Sequence, residues 1–135
     1  MPRVLGVDLG SARIGLAVSD PEGLLAQPLD VVSNDGNALD VVAEAVATSG
    51  ASEIVVGLPM NMNGTSGPEA QAAEAFAARL RERTGLAVTL WDERLSTVEA
   101  ERTMRSGGTN ARKQRGRVDK VAAAIILQSF LESRR

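Results

Sequence analysis

The sequence predicts an α/β fold: a mixed five-stranded sheet, an antiparallel meander and then parallel strands, with helices on both faces. Three observations predict it. Residues 3–32 hold three short extended segments separated by Gly- or Pro-marked turns, the pattern of a meander. From residue 37 the apolar spacing changes to the helical one of about 3.6, and strands then alternate with helices. The chain has 135 residues, the size of one ordinary domain with a core of its own, so residues 1–135 are expected to form a single domain.

Each element has a local cause. Arg3 to Asp8 is a short buried strand bounded by Gly10, and Arg13 to Ser19 a second one. The brief Leu9–Ala12 link between them makes a hairpin, hence an antiparallel pair. Leu24 to Val32 is a third extended segment, and Pro28 assigns it to an edge or a bulge. Asn37 to Thr48 carries Leu39, Val42, Ala43 and Val46 on one helical stripe, with Gly50 as a stop. Glu53 to Leu58 is a buried strand, followed by a Gly/Asn-rich loop from Gly57 to Gly67. Ser66-Gly67-Pro68-Glu69 has the form of a capping box opening a helix that runs to Thr84. Ala87 to Trp91 is the fifth strand. Ser96-Thr97-Val98-Glu99 has the form of another capping box, for a helix ending near Gly107. Thr109 to Arg117 is expected to be a polar, basic loop and Val118 to Leu131 the last helix. A meander followed by strand–helix alternation gives one mixed sheet covered by helices.

Composition excludes whole classes of chemistry. The chain has no histidine and no cysteine. There is therefore no imidazole base, no Ser-His-Asp relay, no thiol nucleophile, no disulfide and no His/Cys zinc site. Catalysis is left to carboxylates, hydroxyls, Lys/Arg, backbone groups or an oxygen-bound metal ion. No apolar run approaches the roughly 18 residues of a membrane span, and no secretory signal is visible, so a cytoplasmic location is expected. Net charge is −2, but it is unevenly spread. Residues 1–101 hold 6 basic and 15 acidic side chains, whereas residues 102–135 hold 9 basic and 2 acidic. A basic C-terminal third points to a polyanionic partner as readily as to a solvated helix.

Three acidic positions stand out. Asp8 ends an apolar strand between Gly6 and Gly10, where a carboxylate is costly without partners; it reads as a turn cap or as a metal or phosphate-site residue. Asp92-Glu93 ends the fifth strand. Adjacent strand residues face opposite ways, so at most one of the two faces a shared site. Asp119 shares a stripe with Ala122, Ala123, Ile126 and Phe130, at the start of a buried helix face; it reads as a helix-start acid or as a site residue. Acids at two strand ends and one helix start are able to converge at one sheet edge. Such a set, with no His or Cys, suits Mg²⁺ or Mn²⁺ and phosphodiester hydrolysis. Arg112, Lys113, Arg115 and Arg117, just before Asp119, would position a nucleic-acid backbone. Phe and Trp total three residues, too few for a base-stacking platform.

These residues resemble the YqgF/RuvX family. The resemblance rests on Gly6-Val7-Asp8-Leu9-Gly10 with Arg13-Ile14-Gly15-Leu16-Ala17-Val18-Ser19-Asp20. It continues through Gly57-Leu58-Pro59 with Asn63-Gly64-Thr65, then Asp92-Glu93-Arg94-Leu95-Ser96-Thr97, then Val118-Asp119-Lys120 with Ala122-Ala123 and Ile125-Ile126-Leu127. It implies an RNase H-like fold and a catalytic, metal-binding triad of Asp8, Glu93 and Asp119, choosing Glu93 over Asp92. Arg13, Asn63, Thr65, Arg94, Arg112, Lys113, Arg115 and Arg117 are then expected to contact nucleic acid. The implied activity is Mg²⁺- or Mn²⁺-dependent cleavage at the 5′ end of pre-16S ribosomal RNA. The family's older description implies Holliday-junction resolution on branched DNA, by a monomer or homodimer. The family's basic segment often carries more lysine than this arginine-rich one, a change that preserves phosphate binding.

Two other classes compete. The Asp8-Leu9-Gly10 hairpin also resembles the phosphate loop of the sugar-kinase and actin superfold, which closes two lobes over ATP where this chain has length for one. A non-catalytic RNA-binding assembly factor would keep the basic segment and use the acids structurally.

Overall fold

The computed structural model describes residues 3–96 and 111–134, the latter as backbone alone over 111–118. Its strands are β1 (Arg3–Leu9), β2 (Arg13–Ser19), β3 (Ala26–Ser33), β4 (Ala51–Leu58) and β5 (Ala87–Asp92). Its helices are α1 (Ala38–Ser49), α2 (Pro68–Thr84) and α3 (Ala111–Glu132), and Glu93–Leu95 form a single 3₁₀ turn. The helix expected from Ser96 to Gly107 lies outside the described residues.

The five strands form one sheet in the order β3-β2-β1-β4-β5. β1, β2 and β3 are an antiparallel meander; β4 joins β1 and β5 joins β4, both in parallel. The mixed sheet therefore has the predicted strand directions.

Strand alternation divides the side chains between two faces. Leu5, Val7, Ile14, Leu16, Ile54, Val56 and Val88 form one buried face, covered by Val42 and Val46 of α1 and by Phe76, Ala77 and Leu80 of α2. Val4, Ala17 and Val55 face the other way and meet Ala123, Leu127, Phe130 and Leu131 of α3. The sheet thus has helices on both faces, α1 and α2 on one and α3 on the other.

Local chemistry sets the ends, and three departures from the sequence reading stand out beside shifts of a residue or two elsewhere, such as β4 opening at Ala51 rather than Glu53. β3 starts at Ala26 rather than Leu24, because the Asp20 carboxylate accepts from the backbone N–H of both Leu24 and Leu25 and ties them into a turn. Those amide bonds hold the Asp20 carboxyl below the usual range. The capping box at Ser66 is not made: Gly67 is the N-cap, no side chain bonds to the helix start, and Pro68 opens the first turn. The basic segment 111–117 is not a loop but the opening of α3, which begins at Ala111. Asp119 is consequently well inside a helix, and the helix-start reading of it does not hold. The C-terminal stop at Gly50 forms as expected, at φ 76°, and Gly85 ends α2 in the same way, at φ 72°, the left-handed conformation that glycine adopts most cheaply.

Candidate active site

The face of the sheet that carries α3 is floored with glycine. A Cβ at Gly6 would stand 2.9 Å from Cβ of Leu127, and one at Gly57 would stand 2.7 Å from Cδ1 of Ile126. At Gly15 the approach is closest: a Cβ there would lie 2.0 Å from the backbone carbonyl oxygen of Asp119. The α3 backbone thus rests directly on β2 at the residue before Lys120. Gly15 is also the ladder partner of Asp8 across the β1–β2 pair. One glycine therefore brings the helix position of Asp119 over the strand position of Asp8.

Alternation places the other members. Asp8 shares its face with Gly6 and Val4, the side of the sheet against α3, and is 2% exposed. Along β5, Val88 and Leu90 face the α1–α2 core, whereas Trp91 packs with the α3 residues Ala122, Ile126 and Phe130. Glu93 follows Trp91 with the same parity. Its carboxylate lies over β4, where a Cβ on Gly57 would be 3.2 Å from Oε2, and it is 6% exposed.

Asp92 is turned the other way and has a structural task. Its carboxylate accepts from the backbone N–H of Arg94 at 2.9 Å, and Nη2 of Arg94 donates to it at 2.6 Å. The Arg94 guanidinium, with the backbone bond behind it, holds the Asp92 carboxyl below its ordinary value. Asp92 caps the 3₁₀ turn that swings Glu93 inward.

Glu93 and Asp119 line one cleft of about 310 Å³, together with Leu9, Gly10, Arg13 and Glu69. Asp119 is engaged there: Nε of Arg13 donates to its Oδ2 at 2.8 Å. Arg13, expected to contact nucleic acid, is thus paired within the site. Glu69 was legible only as part of a capping motif; its place in the second position of α2 puts it in the cleft wall. Among the described residues no group of three or more acidic side chains stands close enough to hold a metal ion.

Asn63, Thr65 and Arg94 gather at a neighbouring exposed turn. Asn63 Oδ1 accepts from the Thr65 amide and hydroxyl, and Asn61 Nδ2 donates to Thr65 Oγ1. A Cβ at Gly64 would lie 3.5 Å from Nη1 of Arg94, so that arginine stands against the turn. Arg112, Lys113, Arg115 and Arg117 fall on the opening turns of α3; their side chains lie outside the described structure.

Comparison with known proteins bears on the family and the fold. Residues 2–133 match the family model described as RuvX, Holliday junction resolvase. A Geobacillus kaustophilus protein named as a candidate pre-16S rRNA nuclease is 49% identical over 137 residues, 98% of this chain and 99% of that one. An Anaeromyxobacter dehalogenans protein of the same name is 49% identical over 134 residues, 98% of each chain. Among solved structures, Thermus thermophilus RuvC in complex with a Holliday junction substrate aligns with a TM-score of 0.64 at 20% identity, over 99% of this chain and 96% of that one. Fowlpox virus resolvase with Holliday junction DNA aligns at 0.58 and 12% identity, over 97% of each chain. These likenesses establish the RNase H-like fold.

Proposed function

The chain belongs to the RuvX family, and on that premise we propose that it is a metal-dependent endonuclease that processes the 5′ end of pre-16S ribosomal RNA. The observation that carries the reading is the convergence on one sheet face. Asp8, Glu93 and the helix position of Asp119 all lie on the α3 side, at the same end of β1 and β5. The relatives' shared name supplies the substrate class.

In this reading Asp8, Glu93 and Asp119 hold Mg²⁺ or Mn²⁺. The donor set fits such an ion by its chemistry, since it consists of carboxylate oxygens alone. When bound, the ion supplies Lewis-acid stabilisation of the charge that develops on the scissile phosphate. The rest belongs to the chain. Burial of Asp8 and Glu93 limits the screening of these two carboxylates by bulk water, which strengthens their own charge interactions. The glycine floor fixes the spacing between helix and strands. The exposed turn at Asn63, Thr65 and Arg94, with Arg112, Lys113, Arg115 and Arg117 of α3, holds the nucleic-acid backbone through phosphate contacts. The domain, residues 1–135, works in the cytoplasm as a monomer or homodimer. Among the described residues no helix is long and apolar enough to cross a membrane.

The test is incubation of wild-type, Asp8→Asn, Glu93→Gln and Asp119→Asn proteins with precursor ribosomal RNA, with and without Mn²⁺. Cleavage by wild type only with the metal is expected. The three variants should bind RNA yet cut roughly 100-fold more slowly or worse, the scale of metal-ion charge stabilisation. Cleavage that persists in EDTA, or in all three variants, overturns the reading. A second reading, resolution of branched DNA at the same site, is favoured by the description of the matching family model. Junction DNA in a parallel incubation separates the two.

A further inference from the structure

We propose that Arg13 is an internal counter-ion: it occupies the cation position on Asp119 and must leave it for a divalent metal to bind. This rests on the metal-dependent reading above and deepens it. Three observations carry it. Nε of Arg13 donates to Oδ2 of Asp119 at 2.8 Å, so one carboxylate oxygen of the proposed ligand is already committed to a positive charge. The two residues line the same cleft as Glu93. And the acids, though placed on one face, do not form a metal cage among the described residues.

The pair is built to exchange. Arg13 opens β2 with the same parity as Gly15, which puts its side chain on the α3 face, over the site rather than toward the α1–α2 core. Its side chain is 36% exposed and that of Asp119 is 18% exposed. The Arg13 end of the pair is open to water, which screens and weakens it, so a divalent cation held in part by Asp119 would displace the guanidinium without unfolding anything. Until then the guanidinium offsets part of the mutual repulsion of neighbouring carboxylates. Once released, its planar fork remains at the mouth of the cleft, free to take a phosphate of the substrate. Metal and nucleic acid then assist each other: the metal frees the arginine that the phosphate needs, and binding linkage makes the effect mutual. Arg13 is accordingly a positioning residue for Asp119 and acquires its substrate contact only in the loaded site.

The experiment measures binding of Mn²⁺ alone, by calorimetry and by loss of the free-ion paramagnetic resonance signal. It uses wild type, Arg13→Gln, Arg13→Lys and, as a distant control, Arg83→Gln. Arg83 pairs with Asp40 on the exposed surface of α1 and α2, so its loss changes net charge equally without touching the cleft. Arg13→Gln is expected to bind Mn²⁺ roughly five-fold more tightly at low salt, the factor equivalent to a ~1 kcal/mol pair. Arg13→Lys should stay near wild type, and Arg83→Gln should not move. In wild type the Nε–H resonance of Arg13, identified by its absence in Arg13→Lys, should shift on addition of Mg²⁺. Equal affinities for wild type and Arg13→Gln, or an equal gain in Arg83→Gln, overturn the counter-ion role while leaving the nuclease reading intact. Absence of Mn²⁺ binding in every protein overturns both.

Discussion

Replacing Gly15 with alanine probes the contact on which the site depends. The added Cβ would lie 2.0 Å from the carbonyl oxygen of Asp119, 2.5 Å from its carbonyl carbon and 3.1 Å from the Lys120 nitrogen. Ordinary van der Waals contact begins at 3.4 Å, so the α3 backbone must retreat by about 1.4 Å at Asp119. The obstacle is backbone on both sides, so no rotamer change relieves it. Overpacking of this kind costs about 1–3 kcal/mol, and each kcal/mol lowers Tm by roughly 3–5 °C in a chain of this length. The functional loss should be larger, because a misplacement of about 1 Å at a reacting centre can cost about 100-fold in rate. Thermal unfolding by circular dichroism, beside cleavage of precursor RNA well below the new Tm, separates the two effects. Gly36→Ala is the control, since a Cβ there meets nothing within 4 Å. Wild-type cleavage by folded Gly15→Ala protein would refute the claim that this contact sets the position of Asp119. So would a rate loss no larger than its unfolded fraction.

Two further outcomes are expected. Changing Arg112, Lys113, Arg115 and Arg117 together to alanine should weaken RNA binding uniformly across sequences. It should also reduce the slope of log K against log salt by up to about 3, at roughly 0.7 per phosphate contact to single-stranded RNA; an unchanged slope in a filter-binding titration would remove these residues from the interface. Asp92→Asn keeps the cap, since an amide oxygen accepts the Arg94 N–H as a carboxylate does, and removes only the charge paired with the Arg94 guanidinium; it should destabilise the protein by about 0.5 kcal/mol at neutral pH, the scale of an exposed ion pair. Because the Asp92 carboxyl is depressed by Arg94 in the fold, its contribution is present above the unfolded pKa of about 3.9 and disappears as pH falls through the lower folded value. The Tm difference between wild type and Asp92→Asn, followed by calorimetry from pH 7 to pH 3, should therefore shrink at the acid end.

The sheet was legible in the sequence because short continuous apolar runs closed by Gly or Pro turns are local signals. What was not legible depended on geometry between segments. Asp92 and Glu93 were bound to point opposite ways, but deciding between them from the chain alone required knowing which face Trp91 takes, and that is set by packing against Phe130 of α3, at a ring separation of 5.7 Å. The start of α3 was missed because Ala111 to Arg117 has no apolar stripe, and Gly116 interrupts the segment as a breaker would. Ser66 looked like a cap because its spacing to Glu69 was right, yet Gly67 takes the cap position and the serine is exposed. The pairing of Arg13 with Asp119 spans 106 residues and has no local signature at all.

The outer strand of the meander bears on how the protein behaves at high concentration. On β3 the register steps from Asp30 opposite Leu16 to Pro28 opposite Ala17, leaving Leu29 as an extra residue. Pro28 has no amide hydrogen to offer a neighbouring chain, the bulge at Leu29 bends the ribbon out of register, and Asp30 sets an exposed negative charge beside it. Each is a recognised block to lateral growth of a sheet. The flank bearing β3 is thus protected against runaway strand-to-strand stacking, and any self-association on that flank has to use side-chain surfaces rather than shared backbone ladders.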